Sequence, residues 1–292
     1  MDQTTRTSWE GAVVPQVDDI PFSMSGQGQQ AAIKISLAMR RHADRASFVM
    51  IEEPENHLTF SNLGVLLGRM EDLAGERQQL FITTHSSFVL NRLGLDTLHL
   101  LSAGSYRQLA GLSNTTVKYF QKLPGYDTLR MVLANKLVLV EGPSDEIVFE
   151  RIYSDLFGLR PIREGIDVLS VGGLSFPRCL ELCSALKKSV AVVRDNDGQD
   201  PAELRLELEN WLEEGTREAF IGAPSDGRTL EPQLISRNGE DTMRRLLKIS
   251  ESADVEKWMT RQKTEAALRL AASEEEFTAP TYMHEAAAFI HG

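Results

Sequence analysis

The sequence has few cysteines and no long hydrophobic run. Its two cysteines, Cys179 and Cys183, lie one helical turn apart, and no set of Cys and His residues completes a zinc site. We therefore expect both thiols to pack in the core of a protein kept reduced. The chain shows no signal-peptide pattern and no apolar stretch long enough to span a bilayer. These features predict a soluble, cytoplasmic protein with no membrane partner.

Positive charge is also scarce. The 292 residues include 31 Lys and Arg against 42 Asp and Glu, which gives a formal net charge of -11. Proteins that coat nucleic acid nonspecifically normally carry the opposite sign, because they neutralise phosphates. Any nucleic-acid contact must therefore come from local basic groups or be bridged by metal ions. Arg178, Lys187, Lys188 and Arg194 are either such groups or ordinary surface charges.

The order of apolar segments predicts an α/β protein, and its length allows one large or two ordinary domains. The first half predicts a helix within Ala31–Met39, strands at Ser47–Glu53, Gln79–His85 and Thr97–Leu101, and a mixed segment, Gly104–Lys122. The second half predicts strands at Leu137–Glu141, Ile166–Val171, Val190–Arg194 and Ala219–Ala223, with helices at Asp145–Phe157, Pro177–Lys187 and Pro201–Glu214 between them. Such alternation is typical of a parallel sheet, whose working groups lie beyond the strand carboxyl ends.

Acidic residues follow two of these strands. Glu141 ends the first strand and Asp145 opens the next helix, while Asp195 and Asp197 follow the third strand. Side chains two positions apart on an extended chain share a face, so we expect Asp195 and Asp197 to point together toward Glu141. Converging carboxylates repel one another unless a cation binds between them, and hard divalent cations take oxygen ligands. The alternative is that each acid is only a helix cap or a surface ion pair.

These acids, together with the glycines Gly172 and Gly173 after the second strand, resemble the Toprim fold of topoisomerases, DnaG-type primases and OLD (overcoming lysogenization defect) nucleases. The resemblance covers about residues 135 to 232. It implies a four-stranded parallel sheet between helices. It further implies that Glu141 is a metal ligand or general acid/base, that Asp195 and Asp197 hold Mg²⁺, and that Asp145 completes the first motif.

Two later residues fit the OLD branch of this family. Glu231, in "TLEPQL", is offered as a further metal ligand, and Lys263, in "RQKTEAAL", as a catalytic cation that stabilises charge on the phosphate. For Lys263 the alternative is a solvated residue on an amphipathic helix.

The first half resembles the ATPase heads of SMC, RecF and OLD proteins. The stretch "SMSGQGQQAAIKISLAM" is similar to an ABC signature motif, with Ser25, Gly26 and Gly28 ahead of a helix. The stretch "FVMIEEPENHL" resembles a Walker B strand and D-loop. By that resemblance Glu52 is linked to Mg²⁺, Glu53 activates water, and His85, in "FITTHS", senses the γ-phosphate.

The sequence has no G-x-x-x-x-G-K-[ST] motif, which is the loop that would hold the nucleotide phosphates. We therefore expect the C-terminal portion of a longer OLD-type protein, either shortened or a natural fragment. ATP is expected as a ligand only in a longer protein that carries this loop. The predicted boundaries are residues 1–115 for the partial ATPase head, 116–134 for a linker, 135–235 for the Toprim domain and 236–292 for a C-terminal helical segment.

The combination predicts a metal-dependent DNA endonuclease that uses one or two Mg²⁺ or Mn²⁺ ions. The resemblance also implies a homodimer or higher homo-oligomer, a helicase-like partner protein, and a role in phage defence or DNA repair. Two alternatives remain open. One is a non-catalytic assembly or regulatory module that uses the ATPase remnant for dimerisation, and the other is a fragment of an SMC- or RecF-like DNA-repair ATPase.

Overall fold

The computed structural model describes residues 15–42, 47–74, 78–102, 104–109, 111–123, 128–172 and 174–292. The chain forms two compact units, the first ending at Leu93 and the second beginning at Gly94. The division between the two units falls before residue 115, the predicted end of the ATPase half. Compact units are not family domains, so the predicted domain boundaries stay predictions. Among the described residues, no helix is both long and apolar enough to cross a membrane.

The first unit is built around a parallel pair of strands. Its elements in chain order are β1 (Gln16–Val17), β2 (Ile20–Pro21), α1 (Gln27–His42), β3 (Phe48–Glu52), α2 (Phe60–Leu73), β4 (Gln79–Thr83) and α3 (Ser87–Leu93). Strands β3 and β4 pair in parallel, with Ile51 opposite Ile82. Alternate side chains of these strands, including Val49 and Ile51, pack against a core from α1 and α2, as expected for period-two alternation.

The second unit opens with a hairpin and two short helices. These are β5 (His99–Ser102), β6 (Ser105–Gln108), α4 (Asn114–Gln121) and α5 (Thr128–Leu133). The segment 116–134, predicted as a linker, therefore carries most of α4 and all of α5, and Phe120 and Met131 in it are fully buried. Each helix is only two turns long, too short for its periodicity to stand out in the sequence.

A four-stranded parallel sheet forms the centre of the second unit. It is built from β7 (Lys136–Val140), α6 (Pro143–Phe157), β8 (Ile166–Ser170), α7 (Phe176–Ala185), β9 (Ser189–Arg194), α8 (Pro201–Leu206) and β10 (Arg217–Ile221). The strand order is β10-β9-β7-β8, and β7 lies between β8 and β9 in parallel register. The predicted α/β class and parallel sheet are confirmed. The predicted helix Pro201–Glu214 is shorter than expected, because α8 ends at Leu206 and a separate 3-10 turn covers Glu209–Trp211.

Five further helices complete the second unit. They are α9 (Leu230–Asn238), α10 (Glu240–Leu247), α11 (Val255–Arg261), α12 (Lys263–Ala272) and α13 (Thr281–His291). Helix α12 packs along α6, and α13 packs against β9, β10 and β7. The segment predicted as C-terminal and helical, 236–292, contains helices and shares one hydrophobic core with the sheet. Its charged composition hid this role, because Met243, Ala286 and Ile290 are spread over a stretch rich in Glu and Arg.

Candidate active site

Glu141 stands directly after the central strand β7, at the carboxyl edge of the sheet. Its Oε1 lies 3.5 Å from Arg194 Nε, and its carboxylate accepts a hydrogen bond from the backbone N–H of Asp195. Burial, together with the carboxylates of Asp197 and Asp145, raises the pKa of Glu141 to about 7, although Arg194 opposes the shift. An acid with this pKa exchanges protons readily near neutral pH.

Asp195 follows β9, the strand beside β7, and only 6% of it is exposed. Its Oδ2 accepts from the backbone N–H of Leu230 at 2.9 Å, and its Oδ1 accepts from the Tyr282 hydroxyl at 3.1 Å. Burial, with the nearby carboxylates of Asp145 and Glu141, raises the pKa of Asp195 to about 8. The side chain is thus fixed by two donors while other acids face it.

Asp197 also lies at this edge, but its backbone conformation differs from the one that the sequence predicted. The chain is not extended after β9, because Asp197 is in the left-handed region with φ +50. Asn196 holds this turn, since its buried Nδ2 donates to Gly222 O at 3.1 Å and to Gly227 O at 2.7 Å. The expected shared face of an extended strand is therefore wrong. Asp197 is exposed, and its charge still acts on Glu141.

Asp145 and Glu231 form the other side of the cluster. Asp145 Oδ2 accepts from Gly142 N at 3.0 Å and so caps α6, while burial and the Glu231 carboxylate raise the pKa of Asp145 to about 6. Glu231 is 3% exposed, and its Oε2 lies 3.2 Å from Lys263 Nζ and 2.8 Å from Thr229 Oγ1. The sequence left open that Asp145 is only a helix cap. Asp145 does cap α6, and its carboxylate also interacts with the other acids of the cluster.

Lys263, at the first position of α12, is the cation of this cluster. Burial opposes its charge, but the carboxylates of Glu231, Asp195 and Asp145 outweigh burial and raise the pKa of Lys263. Its ammonium therefore stays charged at neutral pH. Lys263 is exposed, and its ammonium lies 3.2 Å from Glu231 Oε2.

Neighbouring carboxylates contribute to the raised pKa values of Glu141, Asp145 and Asp195, but most acids of the cluster are held by protein donors. In the part of the chain that the structure describes, no three Asp, Glu, His or Cys side chains stand close enough together to chelate one ion. Glu141 is drawn to Arg194, Asp145 to Gly142 N and Glu231 to Lys263. Chelation would require some of these side chains to rotate toward a common point, a change open to the long Glu side chains.

Sequence reasoning missed several residues around this edge. Tyr282 and Asn196 had no signal, because each acts on a residue or loop that only the fold brings near. Arg228 also went unnoticed: its Nε lies 3.1 Å from where a Cβ would stand at Gly198. Four basic residues were considered as nucleic-acid contacts. Of these, Arg194 lies at this edge, whereas Arg178 donates to Thr116. Lys187 and Lys188 precede β9, at the opposite edge of the sheet, and Gly173 lies outside the described residues.

In the first unit, the signature-like residues stand at the start of α1. Ser25 and Gly26 precede its first residue, and Ser25 Oγ donates to Phe22 O at 2.8 Å. Gly28 lies against the loop after β3, where a Cβ would stand 2.1 Å from His57 O. Any side chain at Gly28 would push α1 away from this loop, which is a packing reason for glycine besides the phosphate-binding one.

Glu53 and His85 meet at the ends of β3 and β4. Glu53 has φ +43, and its Oε1 lies 3.2 Å from His85 Nε2. Glu55, which sequence reasoning passed over, joins the two loops, because its Oε1 accepts from Thr84 Oγ1 and His85 N, both at 2.7 Å. Glu52 is exposed at the end of β3, opposite Thr83. Glu53 and His85, both predicted as ATP-site residues, are thus in contact. Glu52 is the residue directly before Glu53.

Residues 132–197, which hold Glu141, Asp145, Asp195 and Asp197, match the family described as "Overcoming lysogenization defect protein-like, TOPRIM domain". This part of the chain is an OLD-like Toprim domain. The Toprim match spans β7, α6, β8, α7 and β9, so it includes both strands that carry the acids. Residues 3–90 match the family described as "AAA ATPase domain", which covers the elements of the first unit up to α3.

The chain is also similar to individual proteins. The chain is 25% identical over 185 residues to endonuclease GajA of Bacillus cereus, an alignment that covers 60% of this chain and 31% of that protein. The chain therefore spans about a third of that relative. Among solved structures, the C-terminal region of the Xanthomonas campestris pv. campestris OLD protein is 18% identical, with a TM-score of 0.44 and coverage of 54% of this chain and 94% of that one. The C-terminal region of the Burkholderia pseudomallei OLD protein is 20% identical, with a TM-score of 0.44 and coverage of 54% and 97%.

The Toprim domain and the AAA ATPase match lie in the order predicted from the sequence, with the ATPase part first. Together with the likeness to an endonuclease, they support membership of a nuclease family.

Proposed function

We propose that the Toprim domain hydrolyses phosphodiester bonds of DNA with the help of divalent metal ions. The observation that carries this proposal is the group of acids Glu141, Asp145 and Asp195, whose pKa values are raised by burial and by one another at the carboxyl edge of the sheet. Acids whose pKa values are raised by burial and mutual repulsion cluster at functional sites, and each raised pKa costs stability at neutral pH.

The donor set fits a hard divalent cation. Every candidate ligand is a carboxylate oxygen, which is the ligand type that Mg²⁺ and Mn²⁺ prefer. Asp145, Asp195, Asp197 and Glu231 would hold one or two ions, and Glu141 would be either a further ligand or the general base. A bound cation would offset the mutual repulsion that, together with burial, raises the pKa values of Glu141, Asp145 and Asp195. When bound, it would polarise the phosphate and lower the pKa of water.

The protein's own groups have separate tasks in this proposal. Glu141 can hold a proton or release it near neutral pH, because its pKa is raised to about 7, and this suits a general base that takes a proton from water. Lys263 remains an ammonium, so it can stabilise negative charge on the phosphate as the transition state forms but is a poor proton donor.

The substrate is proposed to be DNA because the chain is similar to an endonuclease over 185 residues. The chain's charge of -11 argues against broad electrostatic attraction, so binding depends on cations close to the acids. Lys263 and Arg228 are exposed cations at this edge. DNA binding is therefore expected to depend on divalent ions as well as on these side chains.

Metal dependence is the direct test of this function. Supercoiled plasmid incubated with the purified protein should be nicked or cut in Mg²⁺ or Mn²⁺ and remain intact in chelator. Cleavage at the same rate in chelator would contradict a metal-dependent carboxylate site. A titration of Mn²⁺ against the melting temperature provides a second readout, because an ion that binds only the folded state raises it.

Lys263→Ala should slow cleavage about 10- to 100-fold and weaken DNA binding much less. The reason is that its charge is most useful when extra negative charge develops in the transition state. Cleavage rates under single-turnover conditions, set beside DNA affinity in Ca²⁺, separate the two effects. Lys257→Ala is a matched control, since Lys257 pairs with Asp254 on the neighbouring helix α11. Equal losses of affinity and rate in Lys263→Ala would assign this residue to binding alone.

The first unit is proposed to be an ATPase-head remnant that does not hydrolyse ATP within this chain. Glu53 and His85 are in contact, yet the sequence has no P-loop motif to place phosphates beside them. We expect phosphate release from ATP to stay at background level and Glu53→Gln to change nothing. A robust rate that Glu53→Gln abolishes would show that another part of the chain holds the nucleotide.

Four further expectations stay predictions. The homodimer or higher homo-oligomer, the helicase-like partner and a part in phage defence come from the resemblance, and cytoplasmic localisation comes from the composition of the sequence.

A further inference from the structure

We propose that Tyr282 is a positioning residue that orients Asp195 for metal binding, acting from helix α13. This inference rests on the proposed function, since it assigns a role toward the same ions. Tyr282 lies 87 residues after Asp195 in the chain, outside the stretch 132–197 that matches the Toprim family.

The first observation is the way the Asp195 carboxylate is held. Tyr282 Oη donates to Oδ1 at 3.1 Å, and the Leu230 N–H donates to Oδ2 at 2.9 Å. The final torsion of an Asp side chain is otherwise broad, so one donor on each oxygen fixes the plane of the group. Each oxygen has a second lone pair, which remains able to bind a cation.

The second observation is the burial of the tyrosine and the rigidity of its helix. Tyr282 is 6% exposed, and Met283, Ala286 and Ile290 on the same helix are also buried. At the far end of α13, Lys136 Nζ donates to Ile290 O at 3.0 Å. A hydroxyl presented from a packed helix holds its partner more firmly in place than one on a mobile loop would.

The expected effect follows from the chemistry of supporting hydrogen bonds. A group that bonds to a metal ligand sets the orientation of that ligand, and its loss commonly weakens metal affinity or activity roughly 10- to 100-fold. The competing explanation is that the hydroxyl only satisfies a buried carboxylate, in which case its loss would lower stability and leave metal affinity unchanged.

Tyr282→Phe separates these explanations because it keeps the ring and removes only the hydroxyl. Tyr153→Phe is the matched control: Tyr153 is fully buried, and its hydroxyl bonds to Glu164 and to His291 at the other end of α13. Both variants and the wild type are titrated with Mn²⁺ by calorimetry, and kcat and KM for plasmid cleavage are measured with unfolding curves as the stability control.

We expect the Mn²⁺ dissociation constant of Tyr282→Phe to rise at least about 10-fold, with a fall in kcat and little change in KM. Tyr153→Phe should stay within about twofold of wild type in both. If both variants lose similar stability and neither loses Mn²⁺ affinity, Tyr282 is only structural and the inference is wrong. If the wild type binds no Mn²⁺ and cuts no DNA, the proposed function itself fails and takes this inference with it.

A measurement on the wild type covers the case in which Tyr282→Phe does not fold. With tyrosines labelled with ¹³C at the ring carbon that bears the hydroxyl, the Tyr282 resonance should shift on addition of Mg²⁺ while that of Tyr153 stays in place. A Tyr282 resonance that does not move while Mg²⁺ binds would overturn the proposal.

Discussion

Asp195→Asn should lower metal-dependent DNA cleavage about 1,000-fold or more. Asp195 is nearly the same size as Asn but supplies a negative charge that a divalent cation needs. Removing one ligand charge at a metal that assists phosphodiester hydrolysis costs several kcal/mol of transition-state stabilisation, and about 1.4 kcal/mol corresponds to each factor of ten in rate. The supercoiled-plasmid assay in Mn²⁺ measures this loss, with circular dichroism to show that the variant is folded.

Asp197→Asn should have an effect of the same kind, because Asp197 stands at the same edge and acts on Glu141. Asp241→Asn is the control for loss of one negative charge, since Asp241 is exposed in the first turn of α10. A folded Asp195→Asn protein that cuts DNA as fast as the wild type would assign the cleavage to another site or to a contaminating nuclease.

Asp195→Asn should stabilise the metal-free protein at pH 8 by about 2 kcal/mol or more. Burial and neighbouring acids raise the pKa of Asp195 from 3.8 to about 8, and every tenfold change in the dissociation constant of an acid corresponds to about 1.4 kcal/mol. Asn is neutral at every pH, and its side-chain oxygen can still accept the N–H of Leu230. Denaturant unfolding in chelator, with wild type and variant at several pH values, measures the difference.

The direction of the pH dependence is set by the raised pKa. A carboxyl whose folded-state pKa lies above its unfolded value supports folding most at low pH and loses that contribution as pH rises through the folded value. The advantage of Asp195→Asn should therefore be small near pH 4, grow as pH rises, and level off above about pH 8. Saturating Mn²⁺ should make the wild type more stable than Asp195→Asn, because only the wild type gains the full free energy of metal binding. A variant less stable than wild type in chelator at pH 8 would show that Asp195 is not under electrostatic strain.

The sequence was sufficient to predict the part of the site that lies on strand ends. The apolar segments that became β7 and β9 each end next to an acid, and parallel strands bring such ends to one edge, so Glu141 and Asp195 could be placed together before the structure was known. The α/β class and the strand order of the Toprim sheet are consistent with this interpretation.

The rest of the candidate site depends on contacts between residues that are distant in the chain. The position of Asp197 is set by Asn196, whose amide reaches Gly222 and Gly227, and no local pattern encodes that bond. Tyr282 gave no signal in the sequence, because its hydroxyl meets Asp195 only after α13 packs against the sheet. The turn at Asp197 and the part played by α13 were unpredictable for the same reason.

The packing of α13 against the central strands has a consequence for how the protein folds during synthesis. Lys136, at the start of β7, contacts Ile290, 154 residues further along the chain. At about 5 to 20 residues added per second, roughly 8 to 30 s separate the emergence of these two ends from the ribosome. During that interval the sheet lacks the helix that covers β9 and β10, and the nascent chain exposes apolar surface to chaperones. Asp195 likewise has no Tyr282 partner until translation has passed residue 282, so the proposed nuclease site is completed last.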